Sequence, residues 1–306
     1  MSLQLALVSH RATDDHEDLE RIAGIVERDA PDLRVCVLRD KRSWFSLARA
    51  AWRPTLVFSA KELRKLRPLR GAVLQGSRQS KIEEMEALER AGIPVPPWRT
   101  VTREAAPPDV AAFGRYVVMK PDRGGCGADV RIVRSARVRF LDFTTRRAAR
   151  AQRWIAQRYV HTGPWPTAQR VLTLCGTPLY AIRTRADVSR APIRDAADFE
   201  SGGKSIVASH VGCSIEFCYD ADILALAERA ARVFPEVPTL GVDILRDADS
   251  GALHVVEVNS RGGSWGFSSR RVRAMQQVLG RPFESQFDAF ARATRVLIEE
   301  TRRRAR

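Results

Sequence analysis

The segment Met119-Lys120-Pro121-Asp122-Arg123-Gly124-Gly125-Cys126-Gly127 puts a lysine at the end of an apolar run and three glycines just beyond it. Such a run lets successive backbone N–H groups converge on one point, a nest for phosphate oxygens. An ammonium at the strand end reaches the same oxygens. The spacing is not that of G-x-x-x-x-G-K-[ST] opening a helix, nor of G-x-G-x-x-G. A tight hairpin turn accounts for the glycines alone; Lys120 and its context argue for phosphate. A second group lies late in the chain. Glu257 and Asn259 are two apart in a strand-like run and share a face, and Asp243, with Gly241 on its own face, occupies the run before it. Two carboxylates and an amide oxygen are hard ligands suited to Mg²⁺, which takes one or two carboxylates plus substrate phosphates. A solvated strand face gives the same Glu-x-Asn alternation, but the open turn Gly262-Gly263 beside it favours the metal. Val256 and Val258 are expected to point the other way, into a core.

Three segments position these groups. In the first, strands over 3–8, 33–38, 55–58 and 71–76 alternate with a helix over 15–28, which implies a doubly wound parallel sheet. A helix follows over 80–91, with Ser80 as N-cap and Glu83 at the capping-box position; Gly92 stops it and Pro94, Pro96 and Pro97 stiffen the link. The second segment has strands over 116–120 and 128–133, the glycine run between them, and a helix over 140–153. The third has strands over 154–160, 171–174 and 179–184 and a helix over 221–234 with Asp220 as N-cap. It closes on a hairpin, 241–246 with 253–259, turning at Asp247–Gly251. The expected architecture is α/β, in part α+β: an N-terminal doubly wound domain, 1–76, then 77–155 and 156–306.

The chain has 306 residues and a formal net charge of +15. That length supports a hydrophobic core without disulfides or structural metal. No apolar run is long enough to span a membrane, and the first lacks a basic leader. Cysteines at 36, 126, 175, 213 and 218 form no C-x-x-C pair, against a zinc site or a disulfide framework. A cytoplasmic location follows as the expectation. The charge invites a polyanionic partner, yet only six of the 51 basic residues are lysine. Arginine bias of that kind follows from a GC-rich coding sequence, and the basic stretch Arg131–Arg153 does not interleave aromatics as a base-stacking platform would, its two, Phe140 and Phe143, lying together. Nucleic acid is therefore disfavoured. Against this background Lys81 and Lys120 stand out. The tail Arg302–Arg306 closes an amphipathic helical pattern and is expected to fray into solvent. Cys126 reads as a small filler, and the histidines as surface or packed residues.

In order, these parts resemble the ATP-grasp superfamily of ADP-forming ligases, especially the branch of glutathione synthetase and the ribosomal-protein glutamate ligase. The resemblance spans roughly 55–270. It rests on Lys81 with Gly92-Ile93-Pro94-Val95-Pro96, on Val118-Met119-Lys120-Pro121 with Gly124–Gly127, and on Ile155-Ala156-Gln157-Arg158-Tyr159-Val160. It also rests on Gln169-Arg170-Val171-Leu172 with Ala181-Ile182-Arg183, Gly241-Val242-Asp243-Ile244 and Val256-Glu257-Val258-Asn259. The resemblance implies three domains, with ATP between the second and third. It implies phosphate contacts from Lys81, Lys120 and the loop Gly124, Gly125, Cys126, Gly127, and adenine held at Gln157, Arg158, Tyr159 and Val160. One or two Mg²⁺ would sit on Asp243, Glu257 and Asn259. Arg183 would stabilise the transferred phosphoryl group, with Arg170 or Arg185 assisting.

The chain departs from the family at several points. Arg158 stands where the hinge is often acidic, and an acid usually near Ala168 and Gln169 is missing. Lys204 lies beside Gly202-Gly203, either as a cation for an acyl phosphate or as an exposed residue. Ser260-Arg261-Gly262-Gly263-Ser264-Trp265 replaces the usual acceptor-site loop, which implies a different substrate. There Arg261 would orient an anion, and Trp265 with Phe267 would form a wall or cover the hairpin. Three functions follow: a carboxylate–amine ligase making an amide or peptide bond on a small molecule, peptide or protein tail; a kinase of the same fold acting on a polyanionic small molecule; or a non-catalytic polyanion binder. The oligomeric state, a homo-oligomer included, stays open.

Overall fold

The computed structural model describes residues 2–10, 13–39, 53–63, 68–124, 129–143, 152–189, 193, 212–260, 262 and 265–305. Three sheets organise it. The N-terminal sheet contains β1 (Gln4–Ser9), β2 (Arg34–Arg39), β3 (Pro54–Ser59) and β4 (Arg70–Gln75), in the order β2-β1-β3-β4 and parallel throughout. Every residue of β1 is buried, as a central parallel strand covered on both faces requires. Helix α1 (His16–Asp29) turns Leu19, Ile22 and Val26 into this core.

The central sheet contains β5 (Trp98–Val101), β6 (Tyr116–Pro121), β7 (Arg131–Arg134) and β8 (Trp154–Arg158), in the order β5-β8-β6-β7. Val117, Met119, Trp154 and Ala156 share one face and form its core. Alternation therefore turns Lys120 and Gln157 to the opposite face. The whole of β8 pairs within this sheet, so the expected boundary at 155/156 falls inside a strand. Helix α2 (Lys81–Arg90) precedes this sheet, with the expected capping box at Ser80 and Glu83.

The third sheet is antiparallel: β9 (Thr167–Leu174), β10 (Thr177–Ala186), β11 (Cys213–Phe217), β12 (Thr239–Arg246) and β13 (Leu253–Asn259), in the order β11-β10-β9-β12-β13. Helix α3 (Ala221–Arg232), capped by Asp220, covers the face bearing Val171, Ala181, Val242 and Val258. On the other face Leu172, Tyr180 and Ile182 meet α4 (Arg270–Leu279) and α5 (Ala289–Arg304). The same cluster includes Leu5, Leu7 and Phe58, so α5 joins the third segment to the N-terminal sheet.

The strands β5 and β11 and the helix α4 were not expected. Of the expected helix over 140–153, residues 140–143 and 152–153 are not helical and the rest lies outside the described residues. Up to Ala305 the C-terminal turn is packed and paired rather than splayed into solvent. Arg304 pairs with Glu236 at 3.0 Å and Glu300 at 2.6 Å, Arg302 pairs with Asp32 at 3.0 Å, and Ala305 is fully buried. Two carboxylates brought up by the fold, Glu236 and Asp32, join the local Glu300 in pairing these cations.

Candidate active site

Lys120 leaves β6 on the face turned toward the third sheet. Its Nζ donates to Gln157 Oε1 at 2.9 Å and to the Val256 carbonyl at 2.7 Å. That carbonyl is available because β13 bulges: Asp243 pairs with Glu257 but Ile244 with Val255, leaving Val256 as the extra residue. The bulge corrects the expected pattern. Val255 and Val258 are buried in the core, and Val256 is only half-buried. Burial lowers the Lys120 ammonium from 10.5 to about 8; Glu257 nearby opposes the shift and Lys81 adds to it.

Asp243 and Glu257 stand directly opposite across β12 and β13. Like charges directly opposite on neighbouring strands repel. Three cations offset this. Arg170, paired with Asp243 in the β9–β12 register, grips both its oxygens at 2.6 Å, the strong bidentate geometry. Lys81, at the start of α2, reaches Glu257 Oε1 at 2.9 Å. Lys120 lies close to both carboxylates. Burial alone would raise the Glu257 carboxyl, but Lys81 and Lys120 hold it below its ordinary value. Asn259 Nδ2 donates to Asp243 Oδ2 at 3.0 Å. Two carboxylates among three cations leave a net positive centre, which suits a polyphosphate. Among the described residues no group of three or more His, Cys, Asp or Glu side chains forms a metal cage. Two carboxylates and one amide oxygen are a donor set that fits Mg²⁺ completed by phosphates.

Other expected residues fall elsewhere. Arg183 pairs with Gln169 while Arg170 pairs with Ile182, so Arg183 and Arg185 project from the face opposite Arg170 and Asp243. Arg183 meets Glu216 at 2.9 Å and Arg185 lies 4.7 Å over the Trp165 ring; Thr184, between them, is on the same sheet face as Arg170. Trp265 is 1% exposed and meets Phe58 edge-on at 5.5 Å, so it is core rather than an acceptor wall. Ser260 is also buried: its hydroxyl donates to Glu84 Oε1 at 3.0 Å and its carbonyl accepts the Ser77 N–H at 2.8 Å. It is a joint between the hairpin and the end of β4. In the segment expected to hold adenine, Arg158 contacts His254 Nε2 at 3.2 Å, Val160 is buried, and Tyr159 packs against Tyr116, Ile132 and Ile193. Gly124 is described; Gly125, Cys126, Gly127, Lys204 and Arg261 lie outside the described residues.

Sequence reasoning missed two acids. Asp18 in α1 accepts the Ser268 N–H at 3.1 Å and so anchors the loop after the hairpin; burial pushes its carboxyl up to about 6. Asp122 is buried between β6 and α2. Both act through contacts far apart in sequence, for which a single sequence carries no signal.

No curated protein sequence matches this chain. Among solved structures, the D-cycloserine synthetase DcsG superposes with a TM-score of 0.55 at 17% identity, over 96% of this chain and 99% of that one. The ATP-grasp ligase PsnB, complexed with a minimal precursor, Mg and ADP, gives a TM-score of 0.55 at 17% identity, over 97% and 98%. In complex with the precursor peptide PsnA2 and AMPPNP, PsnB gives 0.55 at 16%, over 98% and 97%. These likenesses concern the fold. The family description "ATP-grasp domain" matches residues 78–264, a span that runs from just before Lys81 to just past Asn259, and on that match the chain belongs to the ATP-grasp family.

Proposed function

We propose that this chain is an ATP- and Mg²⁺-dependent, ADP-forming carboxylate–amine ligase. The observation that carries the reading is the convergence of Lys81, Lys120 and Arg170 on the pair Asp243 and Glu257, within an ATP-grasp domain. Asp243, Glu257 and Asn259 would hold the Mg²⁺, which supplies charge neutralisation at the phosphates. Lys120 and Lys81 offset further phosphate charge. Arg170 is better supported than Arg183 for the transferred phosphoryl group, because it lies on the same sheet face as Asp243. The buried setting of Lys120 strengthens its interaction with a phosphate oxygen relative to water.

The substrate carboxylate attacks the γ-phosphorus in line. The bond from that phosphorus to the β,γ-bridging oxygen breaks, and ADP leaves with the electron pair. An amine then attacks the carbonyl carbon of the acyl phosphate, inorganic phosphate departs, and the ammonium proton passes to solvent. An acceptor of peptide or small-molecule kind is supported by the kinship of fold with PsnB and DcsG. A cytoplasmic location fits this chemistry; among the described residues no helix is long and apolar enough to cross a membrane.

The test is a screen for ADP release over amino acids, dipeptides and small carboxylates, with product mass measured. Glu257→Gln should abolish turnover with the substrates found; wild-type turnover by that variant refutes the metal assignment. A product that keeps the phosphate makes the chain a kinase instead.

A further inference from the structure

A buried carboxylate without a role in the chemistry above lies between the two phosphate-facing lysines. Asp122 follows Lys120 by two residues and is 3% exposed. Its backbone carbonyl accepts the Lys81 N–H at 3.1 Å, and its Oδ1 accepts the Ile82 N–H at 3.1 Å. Its Oδ2 accepts from Arg153 Nη2 at 3.1 Å, and its own N–H donates to the Arg153 carbonyl at 3.0 Å. One residue therefore ties together the helix carrying Lys81, the root of the glycine run and the approach to β8, which carries Gln157.

These bonds also close the end of α2. The N–H groups of its first two residues go to Asp122, and that of Glu83 goes to Ser80 Oγ at 3.3 Å. A helix start with its N–H groups free would attract phosphate; this one is sealed, and the Lys81 side chain extends from it to Glu257. On charge alone, a carboxylate here opposes a triphosphate.

We infer that Asp122 is a positioning residue that fixes the spacing of Lys81 and Lys120, so that a triphosphate meets both ammonium groups already set in place. The inference rests on the nucleotide reading above and deepens it. Preorganisation of this kind raises affinity by removing the cost of ordering groups on binding.

Charge and geometry predict different outcomes for two conservative variants. Asp122→Asn removes the charge and keeps an oxygen at the Ile82 N–H. Asp122→Glu keeps the charge and displaces the carboxyl by one methylene. The full chain and both variants are titrated with AMPPNP and Mg²⁺ by calorimetry, and their folding is checked by circular dichroism and thermal unfolding. The expected result is AMPPNP affinity within threefold of wild type for Asp122→Asn and at least tenfold weaker for a folded Asp122→Glu. A folded Asp122→Glu that binds like wild type overturns the inference, as does Asp122→Asn binding tenfold tighter, the signature of charge alone. If Asp122→Glu does not fold, the Asn variant decides: binding within threefold supports the geometric role, and any larger change in either direction overturns it. Wild-type protein that fails to bind AMPPNP overturns the nucleotide reading itself.

Discussion

Lys120 makes the site's electrostatics measurable without any substrate. Lys120 is 6% exposed, and its ammonium titrates at about 8 rather than 10.5, mainly because burial penalises its charge. At about 1.4 kcal/mol per pH unit, this difference is worth about 3 kcal/mol. The native state binds fewer protons than the unfolded state between pH 8 and 10.5, so in that window this group makes stability rise with pH. The contribution is fully present above 10.5 and lost as pH falls through about 8. Urea unfolding of wild type and Lys120→Met across this range isolates it. The difference between the two curves should grow by about 3 kcal/mol from pH 7.5 to 10.5 in favour of wild type. Above pH 8 the wild type should also lose affinity for AMPPNP, by up to about tenfold per pH unit, because binding must recharge Lys120. Parallel stability curves would refute the buried, hydrogen-bonded placement of this lysine.

Arg170→Leu leaves Asp243 without its bidentate partner and should cost about 3 kcal/mol; Arg170→Leu with Asp243→Leu should cost clearly less in urea unfolding, because no unpaired charge remains. Gly262→Ala puts a Cβ 2.1 Å from the Ala60 carbonyl at a φ of 62°, so thermal unfolding should show a loss of at least about 1–3 kcal/mol from backbone strain alone. Trp265→Ala should cost about 3–5 kcal/mol as a core deletion, whereas Trp265→Phe should retain most of the stability and most of the turnover; a stable, inactive Phe variant would return Trp265 to the acceptor site.

The elements were legible where the local pattern is strong. The short apolar strands alternating with a helix at the N-terminus, the capping box at Ser80 and the Asp220 cap all reflect short-range chemistry that a sequence states directly. The hairpin that brings Asp243 near Glu257 was also legible from its turn residues, but their direct pairing was not, because the bulge shifts the register between the turn and Asp243. What escaped depends on register and distance. Alternation separates Arg183 from Arg170 by face only once β9 and β10 are paired. The bulge that frees the Val256 carbonyl is an extra residue that no periodicity announces. Trp265 has a neighbourhood rich in Gly and Ser and reads as loop, yet its ring fills a gap against Phe58, about two hundred residues earlier. Burial of the Arg304 end likewise required Glu236 to be brought beside α5.

The central claim concerns the fate of the γ-phosphoryl group. A carboxylate substrate labelled with oxygen-18, once found by the ADP-release screen, gives the most direct reading. The account predicts one labelled oxygen in each phosphate released, with ADP and amide product formed in equal amounts. Unlabelled phosphate, or phosphate retained on the product, would contradict it.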